Sequence, residues 1–253
     1  MTKEKKSVKA EKESKSSEKK AVKAKKTESE RKTDNKKAYD YDAHKAYSLE
    51  EAIGLVKKFS STKFDSSVEL HVRLSIDTKK GDQQIRSAVT LPHGTGKTIK
   101  VAAFVSSDKE AAVKAAGADL VGGEDLIAEI KKTEKTDFQV AVAEPSLMKS
   151  LAPIAKILGT RGLMPSPKNE TVTTDPVKAV GELKKGKISF KNDDTGNVHA
   201  AVGKVSFKEE QLKENTLTLL EAIKKAKPSG SKGTYIKKIT LCSSMGPGII
   251  VQL

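Results

Sequence analysis

The feature that most constrains this chain is a hydrophobic rhythm that changes twice. Over 68–76 apolar and polar residues alternate strictly, with Val68, Leu70, Val72, Leu74 and Ile76 on one side and Glu69, His71, Arg73 and Ser75 on the other. That two-residue period is the mark of a strand with one face in a core. Between 98 and 185 the alternation is gone. Short apolar runs over 98–105, 118–121 and 138–143 are separated by helical stretches, the order of a parallel sheet joined by right-handed crossovers. After 187 the alternation returns. The two ends share one style and the middle another, so the simplest architecture is one domain inserted into another.

Local signals place the elements. Ser48-x-x-Glu51 is a capping box that opens a helix with Leu49, Ala52, Ile53, Val56 and Phe59 at helical spacing, and ordered structure is expected from about Tyr47. In the middle, Asp108 is the expected cap of a helix ending at Gly117. A second helix covers 124–132, and Ser146 caps a third that reaches Leu158 and is kinked or broken at Pro153. Residues 159–168, Gly-Thr-Arg-Gly-Leu-Met-Pro-Ser-Pro-Lys, cannot continue a helix or a central strand, because proline lacks a donor and glycine carries an entropic penalty. They read as a shaped loop offering amides and the charges of Arg161 and Lys168 to an anion, or as a plain connector. Asp175-Pro176 opens a helix to about Lys185. Strands at 187–191 and 198–205 flank Asn192-Asp193-Asp194-Thr195-Gly196-Asn197, a hairpin signal. An amphipathic helix over 208–227, stopped by Pro228, and strands at 235–241 and 249–252 complete the chain.

Charge narrows the partners. Lys and Arg number 48 against 33 Asp and Glu, a net +15 that points to a polyanion. Residues 1–37 hold 15 basic and 7 acidic side chains, hence +8, with no aromatic residue. This tail cannot bury enough apolar area to offset its ordering entropy and is expected to be disordered, as a phosphate-seeking arm or a solubilising one. The remainder still carries +7. A single cysteine, Cys242, forbids an intrachain disulfide and fits a reducing compartment. With no apolar run of membrane-spanning length and no signal segment, a cytoplasmic location without a membrane partner is expected.

Catalytic patterns fail one by one. His93-Gly94-Thr95-Gly96-Lys97-Thr98 ends like a phosphate-binding loop, but position 91 is Leu where the first glycine belongs, and a strand rather than a helix follows. His44, His71, His93 and His199 are scattered and Cys242 stands alone, so no metal-ligand spacing is visible and neither metal nor cofactor is expected. Nothing argues for an enzyme. RNA-type chemistry remains. Lys63-Phe64 sets a cation beside a ring, which suits phosphate and base or sugar contact, with a core phenylalanine as the alternative. Ser244-Met245-Gly246 is a tight loop in which glycine permits close backbone approach, or a simple turn.

Several segments resemble the large-subunit ribosomal protein L-one family, bacterial type: Thr62-Lys63-Phe64-Asp65, Asp82-Gln83-Gln84-Ile85-Arg86, Leu91-Pro92-His93-Gly94-Thr95-Gly96-Lys97, Ala116-Gly117-Ala118-Asp119, Val121-Gly122-Gly123-Glu124, Gly162-Leu163-Met164-Pro165, His199-Ala200-Ala201-Val202-Gly203-Lys204 and Ser244-Met245-Gly246-Pro247-Gly248. They occur in order across about 45–253. The resemblance implies an α/β fold of two domains. A split two-layer domain with a mainly antiparallel sheet would comprise 38–94 plus 187–253, and a Rossmann-like three-layer domain with a parallel sheet, 95–186, would be inserted through a two-strand hinge. It implies an RNA face of Lys63, Phe64, Ser67, Glu69, Ser244, Met245 and Gly246, together with His199 and Lys204, and with Arg161 and Lys168 on a loop near the hinge. The implied partners are large-subunit rRNA at the mobile stalk, deacylated tRNA at the exit site, the leader of the protein's own mRNA, and other ribosomal components. Thr160 stands where the family usually has proline, Ser166 where it has asparagine, and Ser67 where threonine is common. Two other classes stay open: a nucleotide-binding enzyme using the central parallel sheet and 94–98, and a non-specific nucleic-acid chaperone driven by the tail.

Overall fold

The computed structural model describes residues 41–231 and 233–252; the expected basic tail over 1–37 lies outside them. The first element, α1 (Leu49–Lys58), begins as its capping box dictates. Glu51 N donates to Ser48 Oγ at 3.3 Å and Ser48 N to Glu51 Oε2 at 3.2 Å, so two orphan donors are satisfied reciprocally. Its apolar stripe, Ala52, Ile53 and Val56, is buried.

That stripe covers one face of a four-stranded antiparallel sheet made of β1 (Ser67–Leu74), β7 (Asn197–Lys204), β8 (Ile236–Ser243) and β9 (Ile249–Val251), in the order β7-β1-β8-β9. The alternation of β1 does what its period requires: Val68, Leu70, Val72 and Leu74 are buried while Glu69, His71 and Arg73 face outward. Ladder pairing ends at Leu74, two residues short of the alternating pattern. The helix α6 (Glu209–Lys225) packs on the same inner face through Leu212, Leu219, Leu220 and Ile223. Opposite β1, the strand β7 bulges: Val68 faces Gly203 but Glu69 faces Ala201, leaving Val202 without a partner. The surplus carbonyl is not orphaned. Asn215, fully buried on α6, donates to Val202 O at 2.7 Å and to Gly94 O at 2.9 Å, and accepts from His93 N at 3.2 Å.

The chain leaves and re-enters this region along a two-stranded antiparallel ladder, β2 (Arg86–Thr90) with β6 (Lys187–Lys191). Where the ladder ends, Gly94 and Gly186 cross. Both hold positive φ, and a Cβ on Gly186 would lie 2.4 Å from Gly94 Cα, so no larger residue fits there.

The middle segment forms a separate parallel sheet, β4-β3-β5, from β3 (Val101–Phe104), β4 (Leu120–Gly122) and β5 (Val140–Ala143). Its residues divide by parity into two cores. Ala102, Phe104, Ala141 and Ala143 meet Ile127 and Ile130 of α3 (Glu124–Thr133) and Leu158 of α4 (Ala155–Thr160). Val101, Ala103 and Val142 meet Val113 of α2 (Ser107–Ala115) and Val180 and Leu183 of α5 (Pro176–Lys184). Helices on both faces of a parallel sheet make the expected three-layer arrangement.

Four local expectations need correction. Ser106, not Asp108, occupies the cap of α2. The expected helix from Ser146 to Leu158 breaks into single 3-10 turns at Pro145–Met148 and Ala152–Ile154 before the short α4, because Pro145 and Pro153 each remove an intrahelical donor. The loop at 159–168 is shorter than its composition suggests: α4 continues through Gly159 and Thr160, and Pro167–Asn169 forms another 3-10 turn. Finally, the turn at 192–197 forms, with Asp193 accepting from Thr195 N at 3.0 Å and Asn197 N at 2.6 Å. Its flanking strands diverge beyond a single Asn192–Val198 bridge, however, β6 pairing with β2 and β7 with β1.

Candidate nucleic-acid interface

Two loops meet at the end of the antiparallel sheet where β1 begins and β8 stops. The segment before β1 is held by a hydroxyl cluster. Ser60 and Thr62 each lie 2.7 Å from Ser66 Oγ, and Thr62 donates to Phe64 O at 2.9 Å. Asp65 accepts from Ser206 N at 3.2 Å and Ser206 Oγ at 2.9 Å, while Lys204 Nζ donates to Asp65 O at 3.0 Å. With its neighbours so restrained, Phe64 has no core to enter and is 60% exposed.

The segment after β8 is tied to the first. Ser244 N donates to Ser67 O at 3.0 Å, and Ser67 N donates to Ser244 Oγ at 3.3 Å. Gly246 N closes the turn onto Ser243 O at 2.9 Å. A Cβ on Gly246 would lie 2.2 Å from Ser243 Oγ, so glycine is a steric requirement of the turn. At its tip Met245 adopts φ +64° and is 87% exposed. A bulky residue in the left-handed region with its side chain in solvent gains neither good backbone geometry nor burial, a pattern associated with binding loops.

Of the residues expected to bind RNA, Lys63, Phe64, Ser67, Glu69, Lys204, Ser244, Met245 and Gly246 thus fall on one end of the sheet. Ser67 is buried and acts through its backbone, aligning the two loops. Glu69 sits one step inward on the outer face. His199 is further along that face, opposite His71. Arg161 and Lys168 belong elsewhere. Arg161 donates to Glu134 O at 3.3 Å and to Thr136 Oγ1, closing the end of α3. Lys168 lines a cleft of about 640 Å³ with Thr78, Gln84, Arg86, Lys191 and Asp194. Arg86 spans from β2 to the 3-10 turn at Pro167–Asn169, donating to Asn169 Oδ1 at 2.9 Å.

Two residues that sequence spacing left unassigned join the outer face. His71 Nδ1 lies 2.7 Å from His199 Nδ1, and His71 Nε2 lies 3.0 Å from Cys242 Sγ. Burial, with His199 beside it, holds the His71 pKa below the usual imidazole value against the opposing pull of Glu69, and burial together with Glu69 pushes the Cys242 thiol up. Outward parity on β1 marks His71, but its meeting with Cys242 depends on a strand register that the sequence does not reveal. The Gly-Lys-Thr segment, for its part, runs through Gly94 and Gly96 at positive φ into β3, with Thr95 buried and no helix N-terminus presented to a phosphate.

The profile described as the ribosomal protein L1p/L10e family matches residues 56–247. The large ribosomal subunit protein uL1 of Thermosipho africanus (strain TCF52B) is 52% identical over 211 residues, which cover 83% of this chain and 91% of that protein. The protein of the same name from Mesoplasma florum is 52% identical over 212 residues, 84% and 93% of the two chains. That of Solibacter usitatus is 48% identical over 208 residues, 82% and 88%.

Proposed function

Because the chain belongs to the ribosomal protein L1p/L10e family, we propose that it binds large-subunit rRNA at the mobile stalk through the end of the sheet that carries Phe64 and Met245. As a member of that family it is a structural, non-enzymatic constituent of the large ribosomal subunit, and it works on the cytoplasmic ribosome. Among the described residues no helix is long and apolar enough to cross a membrane.

The observation that carries the RNA-binding reading is the exposure of Phe64 and Met245 on loops whose polar groups are already tied down. An aromatic ring held out rigidly stacks on an unstacked base or packs on a ribose without a further ordering cost, and single-stranded or irregular RNA offers such surfaces. Met245 adds an adaptable apolar contact. Lys63 and Lys204 supply attraction to phosphate, a salt-dependent and sequence-independent contribution. The boundaries adopted in this reading, 38–94 plus 187–253 for the RNA-binding domain and 95–186 for the insert, draw support from the close crossing of Gly94 and Gly186. Under this reading the protein also accompanies deacylated tRNA as it leaves the exit site, with Arg161 and Lys168 on the inserted domain. It further represses its own message, whose leader mimics the ribosomal site and competes for the same loops.

The test is fluorescence anisotropy with a stalk fragment of rRNA. Phe64→Ala is expected to weaken binding by about 1–3 kcal/mol while leaving the unfolding midpoint in place. A lowered midpoint with undiminished affinity would return Phe64 to a packing role. Failure of the protein's own mRNA leader to displace the fragment would remove the repressor role alone.

A further inference from the structure

The outward face of the antiparallel sheet assembles a donor set from three strands. Glu69 and His71 are two residues apart on β1 and so point the same way. Cys242 faces Glu69 across the β1–β8 ladder, and His199 faces His71 across β1–β7. Glu69, His71 and Cys242 each offer one ligand atom, and those atoms all lie within 4.8 Å of one another. His71 Nε2 is 3.0 Å from Cys242 Sγ and 3.9 Å from Glu69 Oε2. A tetrahedral zinc ion with ligands at about 2.0–2.3 Å spaces them about 3.3–3.6 Å apart, so closing this set on one ion asks for side-chain shifts on the order of 1 Å. The half-exposed His71 and Glu69 side chains have that freedom.

We propose that Glu69, His71 and Cys242 form a binding site for a borderline-soft divalent cation, zinc above all, with water as the fourth ligand. Thiolate, imidazole and carboxylate are the donors zinc takes, whereas magnesium and calcium require shells of oxygen. The surroundings fit as well as the ligands do. With His71 Nε2 on the metal, its Nδ1 carries the proton and donates to His199 Nδ1, 2.7 Å away. The Nε2–H of His199 then faces the Asp193 carboxylate at 3.5 Å. Against burial, which alone would raise it, Asp193 is held ionised by donors from Asn197 and Thr195. Such a carboxylate–histidine chain fixes the tautomer and orientation of a ligating imidazole. Glu69 and His199 also belong to the expected RNA face, but the test of the metal site needs no RNA.

Cobalt(II) titrated into the full-length protein is the probe. Cys242 is the chain's single cysteine, so a thiolate-to-cobalt charge-transfer band reports on this site alone. The band is expected to saturate at one cobalt per chain, to be displaced by zinc, and to be absent in Cys242→Ser. His199→Ala is expected to keep the band but weaken cobalt affinity about 10–100-fold, as loss of an orienting partner does. Absence of the band in the wild type with cobalt in excess overturns the proposal, whatever the folding of the variants. So do a band that survives in Cys242→Ser and saturation at half a cobalt per chain, which would mean two chains sharing an ion through their thiols.

Discussion

Replacing Met245 with glycine separates folding from recognition in a single substitution. The side chain is 87% exposed, so its removal forfeits almost no buried apolar area. The backbone sits at φ +64°, a conformation that costs an L-residue about 1–2 kcal/mol and glycine nearly nothing. Glycine also loosens the unfolded chain, which costs about 0.5–1 kcal/mol. The two nearly cancel, so Met245→Gly should leave stability unchanged or raise it by up to about 1 kcal/mol. Binding should behave oppositely. A methionine that becomes buried against RNA contributes about 1.5–3 kcal/mol, so the variant should bind the stalk fragment about 10–100-fold more weakly. Thermal unfolding by circular dichroism and anisotropy titrations on the same samples measure the two quantities. A fall in the midpoint with unaltered RNA affinity would refute the reasoning, since it would make Met245 a structural residue of the turn.

Other perturbations probe the turn that carries Met245 and the packing of the two larger sheets. Gly246→Ala brings a Cβ within 2.2 Å of Ser243 Oγ and 3.3 Å of Ser243 O, and should destabilise the protein by about 1–3 kcal/mol. Ser243 Oγ is buried without a hydrogen-bond partner, so Ser243→Ala alone should be nearly neutral and, combined with Gly246→Ala, should recover about 0.5 kcal/mol or more in a double-mutant cycle. Asn215→Ala leaves Val202 O, Gly94 O and His93 N without their shared partner, a loss of about 3 kcal/mol or more that should lower the midpoint by about 6–12 °C. Lys109 and Ser106 hold the Glu144 carboxyl at about 2, below its ordinary 4.5. A depressed folded pKa gives stability that is present above about 4.5 and lost as pH falls toward about 2, so Glu144→Gln should flatten that limb of the unfolding midpoint measured against pH.

What the sequence shows of this fold depends on how local the determining physics is. The capping box at Ser48 and the alternation of β1 satisfy their own hydrogen-bonding and burial needs within a few residues, and both appear where expected. The parallel sheet is legible because β3 is apolar on both faces and each face finds its own helices. The strand β2 gave no signal, since Arg86, Ser87, Ala88, Val89 and Thr90 are all at least partly exposed and neither face is dictated by a core. The turn at 192–197 predicts a hairpin, and only tertiary pairing reveals that its strands join different partners. The candidate interface divides along the same line. From the residues alone Phe64 stays open between contact and core, and Met245 between contact and a simple turn, so the family resemblance singles them out, whereas the approach of His71 to Cys242 joins residues 171 positions apart and follows from the register of β1 against β8.

The central claim is that specificity resides in the folded patch rather than in charge. The direct measurement is the affinity of full-length wild type and of the Phe64→Ala, Met245→Gly double variant for the stalk fragment and for a scrambled RNA of equal length, over a salt series. Recognition by the patch predicts that the wild type keeps its preference for the stalk fragment as salt rises. It predicts that the double variant binds both RNAs alike, with a salt slope close to that of the wild type for the scrambled sequence. A double variant that retains the wild-type preference would contradict the claim and move recognition to another part of the chain.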